Sequence, residues 1–482
     1  MHMMSQHDSF VDPQEIGLNQ PLSEKSYELQ FARAEQVQAA TNAFSALNTP
    51  AAREAAAAQT HVNEKVHSGR PLAGSIVTVK DSFHVRDLPR WHGSATHPGA
   101  FSPSDSVPVS RLRAAGAIIV GKTTMPDYGL LAAGLSSQFG ITRNPWDLSA
   151  SPGGSSSGAG AAVAAGVGHS ALGTDIAGSV RLPAAHCGLV ALKPTQGALA
   201  YAPASTWRSA GPMARTVRAA RELFEVVGAP HPSDQLSRPL PNSPSGVHAA
   251  LLASAASSGW TPAALRGLRV GVMESPGYGP HMDSETNTAF HRFLEVLRAN
   301  GAILEDFTPA ITELDFAALD RCLMTRCIAE RSGCPTDRQD DLLPVISAWA
   351  ESGSQLRATD YFLDFEHLSA VAARVSERVA SYDIVVSPVM GVHRFAADSF
   401  GPDPTQPLLF HANYTAWFNQ TGQPAVALPM ARSTAGHPIG VQIAGPHGAD
   451  FALLGIAEAL EGVLEVPLGI PALTSPQASS AA

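Results

Sequence analysis

The chain has 482 residues, of which 44% are hydrophobic and 15% charged, with a formal net charge of −10 and a pI near 6.0. That apolar share is enough for a large core, and an acidic balance with scattered Lys and Arg speaks against a nucleic-acid partner. Cys187, Cys322, Cys327 and Cys334 show no zinc-type pairing, the 18 histidines show no H-E-x-x-H spacing, and no run approaches the length of a membrane span. A disulfide framework, a metal, a cofactor and a membrane partner are therefore not expected. Met1 to Phe10 lack an apolar leader core, so the expected location is the cytoplasm.

Residues 22–41 read as an amphipathic helix that offers Leu29, Phe31, Ala32 and Val37 for packing. Residues 43–47 read as an extended link, and a second helix follows with Thr49 as N-cap, Pro50 at N1 and Gly69 beyond its end. Residues 1–69 are thus expected to form an N-terminal helical arm. The core opens at Leu72, with a strand over 76–79 that leads into Lys80, a helix over 107–115 and a strand over 117–120. Apolar strands and helices alternate through Leu192, which predicts an α/β sandwich with a mixed, largely parallel sheet. Residues 229–263, rich in Pro, Ser and Ala, read as a long surface connection. A strand over 268–273, helical patterns over 315–331 and 358–381, strands over 384–386, 426–429 and 440–443, and a closing helix over 451–460 complete the pattern.

The most informative stretch is 151–194. A Gly/Ser-rich loop, Gly153 to Gly158, precedes a run of Ala, Gly and Val whose small side chains mark a buried helix. A second loop, Thr174-Asp175-Ile176-Ala177-Gly178-Ser179, follows a short apolar segment. Amide hydrolysis by a serine needs a nucleophile, a base, and N–H groups aimed at the developing oxyanion. A glycine turn before Ser179 can direct backbone N–H groups at one point. Lys80, at the end of a buried strand, is a candidate base, because burial disfavours a charged lysine and the neutral amine accepts a proton.

This stretch resembles the signature of the amidase signature family, serine hydrolases with a Ser-cisSer-Lys triad. Pro71 to Asp81 is similar to the family's lysine strand, Gly121 to Asp127 to its next landmark, and Gly422 to Ala425 with Pro438 to Gln442 to its C-terminal segment. The 24 residues from Ser155 to Ser179 and the 75 from Lys80 to Ser155 match its spacing. By position the resemblance implies Ser179 as nucleophile, Ser155 on a cis peptide as bridge, and Lys80 as base. It implies an oxyanion hole from the N–H groups of Ile176, Ala177, Gly178 and Ser179. It also implies the amidase signature fold as one domain over 70–474, with 229–380 a variable, substrate-shaping region and 475–482 a disordered tail. Ala177 stands where Gly is commoner, Thr124 where Asn is, and Asp127 where Glu is.

Two generic motifs compete with this reading. Gly116 to Thr123 satisfies the P-loop pattern, but the residues between its glycines are themselves a strand and cannot cradle phosphate. Gly154-Ser155-Ser156-Ser157-Gly158 matches a nucleophile elbow with Ser156 at its centre, but a loop and not a strand precedes it. Arg181 reads as a structural ion-pair partner, and His186 and Cys187 as packing. The expected activity is hydrolysis of a small-molecule carboxamide through an acyl-enzyme, with a homodimer compatible with the resemblance. Phe83, Trp91, Trp146, Trp207 and Trp417 tilt the expected substrate toward aryl or bulky hydrophobic amides, anilides or carbamates. The alternatives are a glutamine-dependent amidotransferase subunit, which needs a partner chain, and a catalytically inactive binding module.

Overall fold

Short runs of Val, Ile, Ala and Gly supply the strands of one large sheet, seen in a computed structural model that describes residues 22–60, 69–240 and 246–473. The strands are β1 (Phe44–Leu47), β2 (Ile76–Lys80), β3 (Ile118–Thr123), β4 (Ser170–Asp175), β5 (Val190–Lys193), β6 (Ser209–Ala214), β7 (Arg269–Val272), β8 (Ile303–Asp306), β9 (Ile384–Pro388), β10 (Ala425–Arg432) and β11 (Pro438–Ala444). Their order is β1-β3-β2-β4-β6-β5-β10-β11-β9-β7-β8. The sheet is mixed. Parallel pairing joins β3, β2 and β4 at one end and β9, β7 and β8 at the other, and antiparallel pairing fills the middle.

Successive strand residues point to opposite faces, so each strand feeds two cores. Val77, Val79, Leu172, Ile384, Val386, Val426 and Leu428 face one layer, with α3 (Val107–Ala114), α6 (Val217–Val227), α8 (Ser284–Ala299) and α13 (Asp450–Leu464). Ala171, Val385, Ala425 and Ala427 face the other, with α4 (Ser157–Ala164), α5 (Arg181–Cys187), α9 (Glu313–Ser332), α10 (Pro344–Ser352), α11 (Ala358–Val379) and α12 (Ala416–Gln420). At the sheet's edge α1 (Glu24–Thr41) and α2 (Thr49–Thr60) pack Phe31, Ala34, Val37, Ala52 and Ala56 against Ile76, Ile118 and Val120.

Three expectations change. Residues 43–47 are not a link: β1 adds to the edge of β3, with Phe44 opposite Thr123. The strand expected over 117–120 runs on through Thr123, because Gly121 lets the chain of β1 approach; a Cβ there would meet Ala46 O at 2.4 Å. The connection expected over 229–263 contains α7 (Gly246–Ser258), whose Ala/Leu run favours helix and seats Val247 and Leu251 on the core. The arm's first residues and the tail expected over 475–482 lie outside the described residues.

Helix α4 is buried at all eight positions. A Cβ on Gly158 would lie 2.1 Å from Ala43 O and 2.6 Å from Thr124 N, both backbone atoms with no rotamer to change. Helix propensity alone would reward alanine there by about 1 kcal/mol. The clash outweighs it, so Gly158→Ala is expected to destabilise by about 1–3 kcal/mol. Gly160→Ala, where the nearest atom is Pro183 Cβ at 3.0 Å, should lose less. Denaturant midpoints for the two variants check this, and an undiminished midpoint for Gly158→Ala would refute the packing account.

Candidate active site

Lys80 ends β2 with its side chain fully buried. Its Nζ lies 2.8 Å from Ser155 Oγ, 2.9 Å from Thr174 Oγ1 and 3.4 Å from Thr174 O. Burial holds its pKa well below the 10.5 of a free lysine; Arg326 and Arg208 push the same way, and Asp175 opposes them. Burial thus disfavours the charged form of the amine beside a serine hydroxyl. That serine follows the Gly154–Ser155 peptide, which is cis. The two serine loops touch directly, since Ser156 N–H donates to Ser179 O at 3.0 Å, and Ser155 and Ser179 open onto the same narrow cleft.

The turn that carries Ser179 runs from the end of β4 to the start of α5 and is pinned from beneath. Asp175 and Arg181 form an ion pair with both side chains fully buried, the guanidinium meeting the carboxylate at 3.0 Å through Nε and Nη2. Arg181 also donates to Thr415 O at 3.0 Å, Gln442 Oε1 at 2.5 Å and Asn419 Oδ1 at 2.6 Å. Burial opposes the charge on Asp175, but Arg181 beside it holds the pKa at about 2. Arg181 is thus a structural partner, as expected from its position.

One expected contribution to the oxyanion hole is corrected. Gly178 N–H donates to Asp175 Oδ1 at 2.7 Å and so points away from the cleft. Its φ of +124° and a Cβ that would meet Thr415 Oγ1 at 2.2 Å explain why glycine stands there. Among the described residues the N–H groups of Ile176, Ala177 and Ser179 have no acceptor.

The walls of the cleft were largely missed from sequence. Thr174, the second partner of Lys80, sits one residue before the recognisable Asp175. Gly129, at φ +74°, backs Ser155 so closely that a Cβ would lie 3.1 Å from its Oγ. Tyr128, His92, Tyr201, Arg208 and Arg326 also line it, with Ser82, Met125 and Ile176. Asp127 braces this wall, accepting from Ser94 Oγ at 2.8 Å and from Ser137 N at 2.9 Å. Thr124 bonds inward to Thr142 Oγ1 at 2.7 Å, tying the wall to the chain behind it. The five aromatics expected near the pocket do not line it. Trp417 donates to Tyr278 OH, Trp146 to Cys187 O, Phe83 packs edge-on to Tyr201, Trp91 to Phe139, and Trp207 lies against Phe365.

The competing motifs fail geometrically. Ser156 is fully buried and donates to Thr174 O at 3.3 Å, so no elbow nucleophile faces the cleft. Lys122 lies in β3 and pairs with buried Asp81 at 2.8 Å. His186 packs on Phe395, and Cys187 Sγ lies 3.6 Å from Pro152 O. Among the described residues no group of His, Cys, Asp and Glu could hold a metal ion, and no helix is long and apolar enough to cross a membrane.

Comparison with known proteins places the chain in a family. The model of the amidase family matches residues 26–454. The chain is 32% identical over 442 residues to a glutamyl-tRNA(Gln) amidotransferase subunit from Symbiobacterium thermophilum, covering 84% of this chain and 86% of that one. The corresponding subunit from Deinococcus deserti is 33% identical, at 92% and 93% coverage. Among solved structures, a 6-aminohexanoate cyclic dimer hydrolase bound to substrate superposes with a TM-score of 0.80 at 27% identity, covering 95% of this chain and all of that one. A peptide amidase from Stenotrophomonas maltophilia, at 23% identity and a TM-score of 0.77 over 98% and 99% of the two chains, shares the fold.

Proposed function

The chain belongs to the amidase family and is a hydrolase of carbon–nitrogen bonds, and from that premise we propose that it cleaves a small carboxamide through an acyl-enzyme on Ser179. The observation that carries this reading is the buried, charge-disfavoured Lys80 amine 2.8 Å from Ser155 Oγ. Ser179 Oγ attacks the carbonyl carbon while its proton passes to Ser155, and the proton of Ser155 passes to Lys80 Nζ. The oxyanion rests on the N–H groups of Ile176, Ala177 and Ser179. Lys80 returns its proton through Ser155 to the departing nitrogen as the C–N bond breaks. Water then repeats the path and releases the acid. The five aromatics expected to favour an aryl group lie outside the cleft, whose aromatic lining is Tyr128, Tyr201 and His92 instead.

A pH profile tests the base. Only neutral Lys80 accepts a proton, and its folded pKa is lowered, so kcat/KM is expected to rise with pH through that depressed pKa and to fall on the acid side. A rate independent of pH from mildly acidic to alkaline conditions would refute the assignment. Failure of a serine-directed phosphonate to label the wild type would instead favour an inactive binding module.

A second reading has its own support, because the curated relatives named above are amidotransferase subunits. In that reading ammonia released from an amide passes to a partner chain. Co-purification of a stable partner, with glutamine turnover that depends on it, would favour this reading over a free-standing amidase.

A further inference from the structure

The cleft that holds Ser155 and Ser179 is also lined by two arginines and, among the described residues, by no aspartate or glutamate. They come from distant segments: Arg208 immediately precedes β6, and Arg326 lies midway along α9. Neither is held as Arg181 is, by a carboxylate at hydrogen-bond distance, although Arg326 has an ion-pair partner on its own helix. Arg326 stands 3.6 Å from Glu330, longer than a hydrogen bond, and that carboxylate is 31% exposed. Arg208 lies over the Tyr201 ring at 4.4 Å and donates to Pro203 O at 2.6 Å. Its buried Nε has no hydrogen-bond partner. His92 on the same wall is held neutral by burial and by Arg90 and Arg326. Two guanidinium groups therefore face one small cleft, with Glu330 behind Arg326 as the one carboxylate paired with either of them among the described residues. Two cations with one carboxylate between them, and an Arg208 Nε left without a partner, favour an anion in the cleft, and a guanidinium fork suits a carboxylate in particular.

We propose that Arg208 and Arg326 form a carboxylate-binding subsite, and that the substrate is a small carboxamide carrying a second, free carboxylate. The proposal rests on the hydrolase reading of Ser179. The carboxylate can belong to the acyl half, as in the monoamide of a dicarboxylic acid, or to the amine half, as in an N-acyl amino acid. Both present the same group to the two arginines. The subsite supplies selection by charge: an anionic substrate gains charge-assisted hydrogen bonds that its neutral isostere cannot make.

The test is binding to Ser179→Ala by calorimetry, with hydrolysis by wild type measured in parallel. Two pairs distinguish the halves: succinamate against succinamide, and N-acetylglycine against N-acetylglycinamide. The expected result is that the anionic member of one pair binds at least about tenfold more tightly than its neutral partner. That preference should collapse toward unity when Arg208→Gln or Arg326→Gln is added. Equal affinity within both pairs overturns the proposal, as does a preference that survives both substitutions. The ratio in the Ser179→Ala protein decides the matter even where an arginine variant does not fold. Tight, arginine-dependent binding without wild-type turnover would sink the hydrolase reading and leave the subsite standing. Turnover of both members at equal kcat/KM would do the reverse.

Discussion

Ser179→Ala is expected to lower kcat by about 10⁴-fold or more while leaving the folded protein as stable as wild type. The two halves of that expectation come from one observation. Ser179 lies at the cleft, 5% exposed, and its hydroxyl makes no hydrogen bond to another described residue, so removing it strands no buried partner. What is lost is the nucleophile. Ser155→Ala and Lys80→Met should also cut kcat, and because the three act as one proton path, adding either to Ser179→Ala should cost almost nothing further. Ser156→Ala is the control that separates this site from an elbow nucleophile: its hydroxyl donates to Thr174 O, and turnover should survive its loss. Rates on a panel of amides, anilides, esters and carbamates measure all of these. Turnover that persists in Ser179→Ala would move the nucleophile elsewhere.

The meeting of Lys80, Ser155 and the Ser179 loop was legible because its signals are local. A β-branched strand ending in lysine, a Ser/Gly loop and a glycine turn before a serine each declare themselves within a few residues. The elements around them were legible for the same reason, from periodicity such as the helical pattern over 315–331, which lies within α9. What stayed hidden is long-range. Arg326 on α9, four residues from Glu330, reads as an ordinary solvated helix pair; only the fold turns it into the cleft. Arg208 carries no local signal at all. The aromatics misled because a tryptophan's large apolar surface is satisfied equally by a core, and here Trp417 and Trp146 found core acceptors for their indole N–H groups. The oxyanion turn shows the limit most sharply. Sequence position offered four N–H groups, and the direction of Gly178 N–H depends on a carboxylate that its own loop folds back upon.

That carboxylate makes Arg181 the most consequential residue outside the cleft, and Arg181→Leu is expected to destabilise the protein by about 3–5 kcal/mol near neutral pH. Leucine would leave Asp175 charged and fully buried, still accepting from Gly178 N–H at 2.7 Å and Asn419 Nδ2 at 2.9 Å, but without its cation. Asn419 Oδ1 and Gln442 Oε1 would lose their donor as well. The sign of the pH dependence discriminates this account from simple loss of packing. In wild type the Asp175 pKa is lowered from 3.8 to about 2, so its contribution to stability is present above pH 3.8 and is lost as pH falls through 2. Without Arg181, the strongest force lowering the Asp175 pKa is gone and burial is opposed only by Lys193 and the remaining hydrogen bonds, so the pKa moves up and protonation relieves the buried charge. The stability gap between Arg181→Leu and wild type should therefore narrow as pH is lowered from neutral toward the acid range. A gap that is constant with pH, read from denaturant unfolding at several pH values, would show that Asp175 is not the charge being stranded. The same variant links the scaffold to the chemistry, because Asp175 already acts on Lys80 to raise its pKa. An Asp175 freed of Arg181 acts more strongly, keeps the lysine protonated to higher pH, and should move the acid limb of kcat/KM upward in whatever fraction of the variant remains folded.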